Sequence, residues 1–135
     1  MTVRRSTGPY PDDWKSIAQQ VKNAANWHCV RCNRRHDPEL GFTLTVHHLD
    51  INPSNSSWWN LLALCQRCHL SIQGRVFVDR PWVMTEHSEW FRPYVAGFYA
   101  QKYLGESLDR AQVESRLDEL LALEREIVLG ATGNA

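Results

Sequence analysis

The stretch LTVHHLDINPSNSSWWNLLALCQRCHL, Leu44–Leu70, holds a histidine pair, an isolated asparagine, and a cysteine pair followed at once by a histidine. From Phe42 to Leu49 the β-branched and aromatic residues recur with a period near two, which predicts a strand. The Asn, Ser and Pro content of residues 50–60 predicts a loop. A short apolar piece follows at residues 61–65, and the second cysteine pair then leads into a short helix that should close at Gly74.

Two C-x-x-C pairs bracket the predicted strand, Cys29 with Cys32 and Cys65 with Cys68. Each pair can direct two thiolates at one metal ion, and two pairs complete the closed tetrahedral shell of a structural Zn²⁺ site. A closed shell has no open position for hydrolysis, so its role would be to tie the chain around the strand. The alternative is a redox function, but neither pair follows a thioredoxin-like strand or precedes a long helix.

The order C-x-x-C, then V-H-H on a strand, then N-L-x-x-L-C-x-x-C-H resembles the zinc-containing members of the HNH endonuclease family, whose fold is the ββα-metal or His-Me finger. The residues that carry the resemblance are Val46, His47, His48, Asn60, Leu61, Leu64, Cys65, Cys68 and His69. The resemblance covers about residues 27–73. It implies an α+β fold with a small ββα-metal core and a zinc site of four cysteines.

The resemblance also implies a role for each polar residue of the motif. His48, the second of the pair, would be the general base, while His47 and His69 would hold one catalytic cation, Mg²⁺ or another divalent ion such as Mn²⁺ or Ni²⁺. Asn60 would hydrogen-bond across the loop and hold the histidine-bearing strand in register. Hydrolysis of a phosphodiester needs such a base and cation, and imidazole titrates near neutrality. Cleavage would leave 5′-phosphate and 3′-hydroxyl ends.

The chain departs from the family pattern at two places. Many relatives have a lysine just after the final histidine, whereas Leu70 follows here, so phosphate contacts would fall to Arg67 or Arg75. The loop carries Trp58 and Trp59, which are expected to be core anchors, although they could also stack on unpaired bases. The remaining histidines, His28, His36 and His87, are predicted to be structural.

Composition and charge indicate a single globular domain with an uneven charge distribution. The chain has 135 residues, 43% of them hydrophobic, and a formal net charge of zero. Residues 1–80 hold ten Lys and Arg against six Asp and Glu, a net +4, and residues 81–135 hold five against nine, a net −4. The basic front half suggests a polyanion partner, DNA if the resemblance holds. No apolar run is long enough to span a bilayer and no export signal opens the chain, which predicts a cytoplasmic protein with no membrane contact.

The predicted domain organisation has three parts. Residues 1–10 form a flexible arm, residues 11–80 a zinc-containing HNH nuclease module, and residues 81–135 a helical C-terminal extension of the same domain. A helix opens at Pro11, and its buried stripe consists of Trp14, Ile17, Ala18, Val21 and Ala25.

The C-terminal extension is predicted to be an αα-hairpin. Its first helix lies within residues 88–104, with Pro93 in the opening turns, and its second runs from about residue 107 to residue 129 after a link at Gly105 and Glu106. The first helix is aromatic nearly all round. Its aromatic residues either pack within the domain or make residues 88–129 a surface for a homodimer or a protein partner.

Three functions are compatible with these patterns. The leading hypothesis is a metal-dependent HNH endonuclease that nicks or cuts DNA and grips mainly the backbone. The alternatives are a catalytically inactive, zinc-stabilised nucleic-acid-binding module, and a protein adaptor that recruits a partner through its acidic hairpin. Binding of a second metal ion by His47 and His69 would separate the first hypothesis from the second.

Overall fold

The protein is described by a computed structural model that covers residues 10–50, 52–73, 75–76, 80–82 and 86–126. The chain divides into two compact units, residues 1–75 and residues 76–135. The division falls a few residues before the boundary predicted at residue 80. Apart from Tyr10, the predicted N-terminal arm lies outside the described residues, and so does Gly74, the predicted end of the second helix.

The first unit combines helices with one small sheet. Its elements are α1 (Trp14–Ala24), β1 (Leu44–His48), β2 (Leu61–Cys65) and α2 (Gln66–Gln73), with single 3-10 turns at Pro38–Leu40 and Trp58–Asn60. Strands β1 and β2 pair antiparallel, from Leu44 opposite Cys65 to His48 opposite Leu61. The described residues therefore form a mixed fold of helices and a two-stranded antiparallel sheet.

Helix α1 lies where the sequence predicts a helix. It begins at Trp14, whose backbone N–H donates to the Pro11 carbonyl over 3.1 Å. The five predicted stripe residues are all half-buried, and none of them is fully buried. The helix packs against both strands with this stripe, which accounts for the spacing of its apolar residues.

The two strands differ in how well the sequence identifies them. Strand β1 is shorter than the predicted span, because Phe42 pairs only with Asp37 in an isolated bridge and Leu49 donates to the Asn60 carbonyl beyond the sheet. The apolar piece at residues 61–65 is the second strand, and all five of its residues are buried. A strand buried on both faces shows no alternation, so its periodicity could not reveal it.

The second unit contains an αα-hairpin whose second arm is broken. Helix α3 (Arg92–Leu104) has Pro93 in its first turn and follows a 3-10 turn at Glu89–Phe91. It ends at Gly105, which adopts φ 68°, a left-handed conformation that suits glycine. The first arm is confirmed.

The prediction of one continuous second helix from residue 107 is wrong. The structure has α4 (Arg110–Ser115) and α5 (Leu117–Leu121), separated by Arg116. The start is delayed because Asp109 and Gln112 form a reciprocal capping box. The break falls at Arg116, whose guanidinium group pairs with Glu106 and Glu119. The predicted end of this helix, residues 127–129, lies outside the described residues.

Aromatic residues of α3 and of the 3-10 turn before it lie in the core of the second unit. Phe91, Tyr94, Phe98 and Tyr99 are buried, and Val113 and Leu120 of the second arm are wholly enclosed. The Tyr99 hydroxyl donates to Glu124 over 3.1 Å. A homodimer or partner surface at residues 88–129 remains a prediction. No helix within the described ranges is long and apolar enough to cross a membrane.

Candidate functional site

The four cysteines come together at the base of the two-stranded sheet. Cys29 and Cys32 lie in the turn after α1, while Cys65 ends β2 and Cys68 lies in the first turn of α2. All four Sγ atoms are within 4.8 Å of one another. Tetrahedral zinc with Zn–S bonds of about 2.3 Å holds its sulfurs about 3.8 Å apart, and the Sγ atoms of Cys32 and Cys65 are separated by 3.8 Å.

The surroundings of the thiols suit a cation. Burial raises the pKa of the Cys68 thiol to about 12 and, with its neighbours, raises the pKa of Cys32. Four thiolates packed this closely would repel one another unless a cation neutralised them. Arg31 donates from Nη1 to the Cys68 Sγ over 3.5 Å, which supplies part of the compensation. The cluster could hold a metal ion such as zinc.

A second group of titratable side chains, called the histidine group below, consists of His47 and His48 on β1 and His69 on α2. The rings of His47 and His69 lie 4.7 Å apart, centroid to centroid, at 65°. Thr45 sets the tautomer of His69: its hydroxyl proton goes to the Leu64 carbonyl over 2.7 Å. The 2.8 Å contact between Thr45 Oγ1 and His69 Nδ1 is therefore a hydrogen bond that Nδ1–H donates. The Nε2 lone pair of neutral His69 is then free to bind a cation.

The histidines of this group are neutral near pH 7. Burial, followed by the charges of His69 and His48, lowers the pKa of His47 to about 4. Burial likewise lowers the pKa of His69 and, against the opposing effect of Asp50, that of His48. A neutral imidazole can bind a metal ion or accept a proton, whereas a protonated one can do neither.

His48 lies under two aromatic rings of the N-terminal segment. The residue is only 8% exposed, and its Nε2 atom is buried with no hydrogen-bond partner among the described residues. The ring of Trp14 lies 4.8 Å away at 32°, and the ring of Tyr10 lies 5.7 Å away at 70°. The nearby Pro53 backbone partly opposes the lowering of the His48 pKa.

Asn60 is fully enclosed and ties the loop between the strands. Its Oδ1 accepts the Asp50 backbone N–H over 2.6 Å, and its Nδ2 donates to the Asn55 carbonyl over 2.8 Å. Its own carbonyl accepts from Leu49 N–H over 2.8 Å. Asn55 also donates from Nδ2 to the Asp50 carboxylate. These bonds fix the loop immediately after His48.

The predicted phosphate-contacting arginines occupy different surroundings. Arg67 and Arg34 both lie over the ring of Phe42, with guanidinium carbons 4.5 and 4.3 Å from its centroid. Arg67 also donates from Nη2 to the Leu40 carbonyl over 3.3 Å. Within the described part of the chain, neither arginine is paired with a carboxylate. Arg75 donates from Nε to the Ser71 carbonyl at the end of α2.

The three histidines predicted to be structural stand apart from these groups. His36 Nδ1 accepts the Leu44 N–H over 2.9 Å and so supports the start of β1. His28 contacts the Asn26 carbonyl through Nδ1. His87 is exposed and lies beside the ring of Trp82.

Sequence reasoning missed Thr45, Tyr10 and Trp14 as neighbours of the histidines. Thr45 is two residues before His47, so alternation along β1 could have placed both on one face of the strand. Nothing local in the sequence links Trp14, assigned to the helix stripe, with His48. That contact arises only when α1 packs on the sheet.

Comparison of the chain with protein-family models, with curated proteins and with solved structures gives no match. Of the residues that the structure describes, the four cysteines form the one group of three or more side chains of metal-binding type placed to share an ion. The histidine group offers a pair, His47 and His69.

Proposed function

We propose that β1, β2 and α2 form a ββα-metal finger and that the protein is a metal-dependent HNH endonuclease acting on DNA. The observation that carries this proposal is the close approach of two neutral imidazoles, His47 on β1 and His69 on α2, with the neutral His48 next to His47 on the strand. The cysteines would hold structural zinc, and the histidines would perform the chemistry.

Each histidine has a distinct task in this proposal. His48 accepts a proton from the attacking water at Nε2, because among the described residues that atom has no hydrogen-bond partner. His47 and His69 hold the divalent cation. A bound Mg²⁺, Mn²⁺ or Ni²⁺ would neutralise charge that builds on the phosphate and the leaving oxygen. Asn60 keeps the loop after His48 in one conformation.

DNA is the proposed partner because of the exposed basic groups of the first unit. Arg34 and Arg67 both lie against the ring of Phe42 without carboxylate partners among the described residues. A guanidinium group held in this way can contact phosphate oxygens at little cost in side-chain entropy. Arg75 would add a further contact at the end of α2.

Relaxation of supercoiled plasmid by zinc-loaded protein tests the proposal. We expect nicking with Mg²⁺ or Mn²⁺ and none without added divalent cation. His48→Ala should abolish it, because the proposed reaction then lacks its proton acceptor. His87→Ala is the matched control, since His87 is an exposed histidine outside the group. Both variants must retain the zinc content and the melting temperature of the wild type.

The second candidate is an inactive, zinc-stabilised binding or adaptor module. The enclosure of His48 favours it, because a base that is 8% exposed cannot reach water as it stands. DNA binding without cleavage, together with one zinc ion and no second divalent site by titration calorimetry, would support this candidate over the nuclease.

A further inference from the structure

The enclosure of His48 by aromatic rings is the feature that the proposed reaction leaves unexplained. A proton acceptor must come within hydrogen-bond reach of its water, yet the Nε2 atom of His48 is buried and has no hydrogen-bond partner in the part of the chain that the structure describes. A buried polar atom without a hydrogen bond is destabilising. The contact that encloses it therefore calls for a physical reason.

Three rings meet at this point. Trp14 and Tyr10 each contact the His48 imidazole, and the two rings lie 5.3 Å from each other at 46°. All three separations fall in the range of favourable aromatic pairs. Trp14 is the nearer ring and the more nearly parallel to the imidazole, whereas Tyr10 and the imidazole form a T-shaped pair.

The two aromatic residues are held with different strength. Trp14 belongs to the half-buried stripe of α1, and its N–H is tied to the Pro11 carbonyl. Tyr10 is 41% exposed and makes only ring contacts with the described residues. Tyr10 can therefore leave at lower cost than Trp14.

We propose that Tyr10 and Trp14 form an aromatic cap on His48, in which Trp14 is a positioning residue for the imidazole and Tyr10 is a cover that DNA displaces. The functional part of this inference rests on the proposed role of His48 as the base. The scissile phosphate and its water must come next to the buried Nε2 atom, so we expect the more exposed of the two rings, Tyr10, to move before cleavage.

Chemical modification tests the cover independently of activity. Diethylpyrocarbonate reacts with neutral, accessible imidazole, and peptide mapping by mass spectrometry reports its rate at each histidine. Tyr10→Ala should speed modification of His48 severalfold, Tyr10→Phe should keep the slow wild-type rate, and exposed His87 serves as the internal reference. Equal rates at His48 in all three proteins would overturn the cap.

Nicking kinetics test whether the cover is displaced by substrate. Tyr10→Ala should raise kcat/KM above the values of wild type and Tyr10→Phe, because DNA no longer has to move the ring. A faster modification rate without any gain in kcat/KM would contradict displacement. If Tyr10→Ala is modified faster at His48 but none of the three proteins nicks DNA, the aromatic cap is supported and the proposed nuclease is refuted.

The positioning role of Trp14 requires a separate comparison. Trp14→Leu removes the flat ring but keeps an apolar side chain, and it should lower kcat with little change in KM. Trp14→Phe should recover most of the loss, because a planar ring again lies against the imidazole. Wild-type kcat in a folded, zinc-loaded Trp14→Leu protein would show that Trp14 does not position His48.

Discussion

Among single residues, Thr45 links the sheet to the histidine group through one hydroxyl. That hydroxyl donates to the Leu64 carbonyl and accepts from His69 Nδ1. The first bond spans the two strands at the register where Thr45 faces Leu64. The second leaves the Nε2 lone pair of His69 free for a cation. Sheet pairing thus decides which nitrogen of His69 is available.

Replacement of Thr45 by valine tests this arrangement. Valine keeps the shape but removes the acceptor for His69 Nδ1–H, so we expect Mn²⁺ binding to zinc-loaded protein to weaken about 10- to 100-fold. Thr45→Ser retains a hydroxyl and should bind within severalfold of the wild type. Isothermal titration calorimetry measures the affinities. Unchanged affinity in Thr45→Val would mean that Thr45 does not orient His69.

Among the elements, the loop between β1 and β2 depends on Asn60. The loop contains several short hydrogen-bonded turns, such as the one in which the Ser54 N–H and hydroxyl both donate to Asn52 Oδ1. These turns are local and exposed, whereas Asn60 reaches from the far end of the loop to Asp50 and Asn55. The Asn60 side chain is therefore the fully buried group among those that hold the loop next to His48.

Asn60→Ala should destabilise the protein by about 3 kcal/mol, because the Asp50 N–H and the Asn55 carbonyl both lose their partner in a partly buried place. Asn52→Ala, in the same loop but exposed, is the matched control and should cost less than about 1 kcal/mol. Urea unfolding of the zinc-loaded proteins measures both values. Similar losses in the two variants would indicate that Asn60 contributes no more than an ordinary loop residue.

At the scale of the whole molecule, the two units differ in their metal-binding residues and in their charged side chains. The four cysteines and the Arg34, Arg67 and Phe42 cluster all belong to residues 1–75. The second unit has its own aromatic core and its own ion pairs, such as Arg116 with Glu106. Metal binding and polyanion binding are therefore expected to act on the first unit.

Removal of zinc should unfold the first unit selectively. Structural zinc contributes on the order of 10 kcal/mol to folding in small domains, while the second unit contains none of the four cysteines. Hydrogen exchange with mass spectrometry should show loss of protection in β1 and β2 after chelation, with protection retained in α3. Retention of protection in both strands would show that the four-cysteine cluster is dispensable for the fold.

Substitution of the stacked arginines should weaken DNA binding without changing its sequence preference. Arg34→Gln and Arg67→Gln each remove one proposed phosphate contact, so each should reduce the slope of log K against log salt by about 0.9. Arg125→Gln, an exposed arginine of the second unit, is the control. Fluorescence anisotropy on two unrelated duplexes, without divalent cation, measures the slopes. Wild-type slopes in Arg34→Gln and Arg67→Gln would exclude both residues from the DNA contact.

Features that depend on local spacing were predictable from the amino-acid sequence. The C-x-x-C pairs imply two chelating turns wherever they lie, and the apolar spacing of α1 reports its buried side. The beginning and end of α3 follow from Pro93 and Gly105, whose backbone preferences do not depend on distant contacts.

Features that depend on distant residues emerged only from the folded chain. Strand β2 carries no periodic signal because both its faces are buried, the second arm of the hairpin breaks at an arginine that pairs with Glu106 and Glu119, and Trp14 meets His48 only when α1 packs on the sheet. Local sequence encodes backbone preference and one buried face. The partner of that face is set by packing between segments far apart in the chain, which no short window contains.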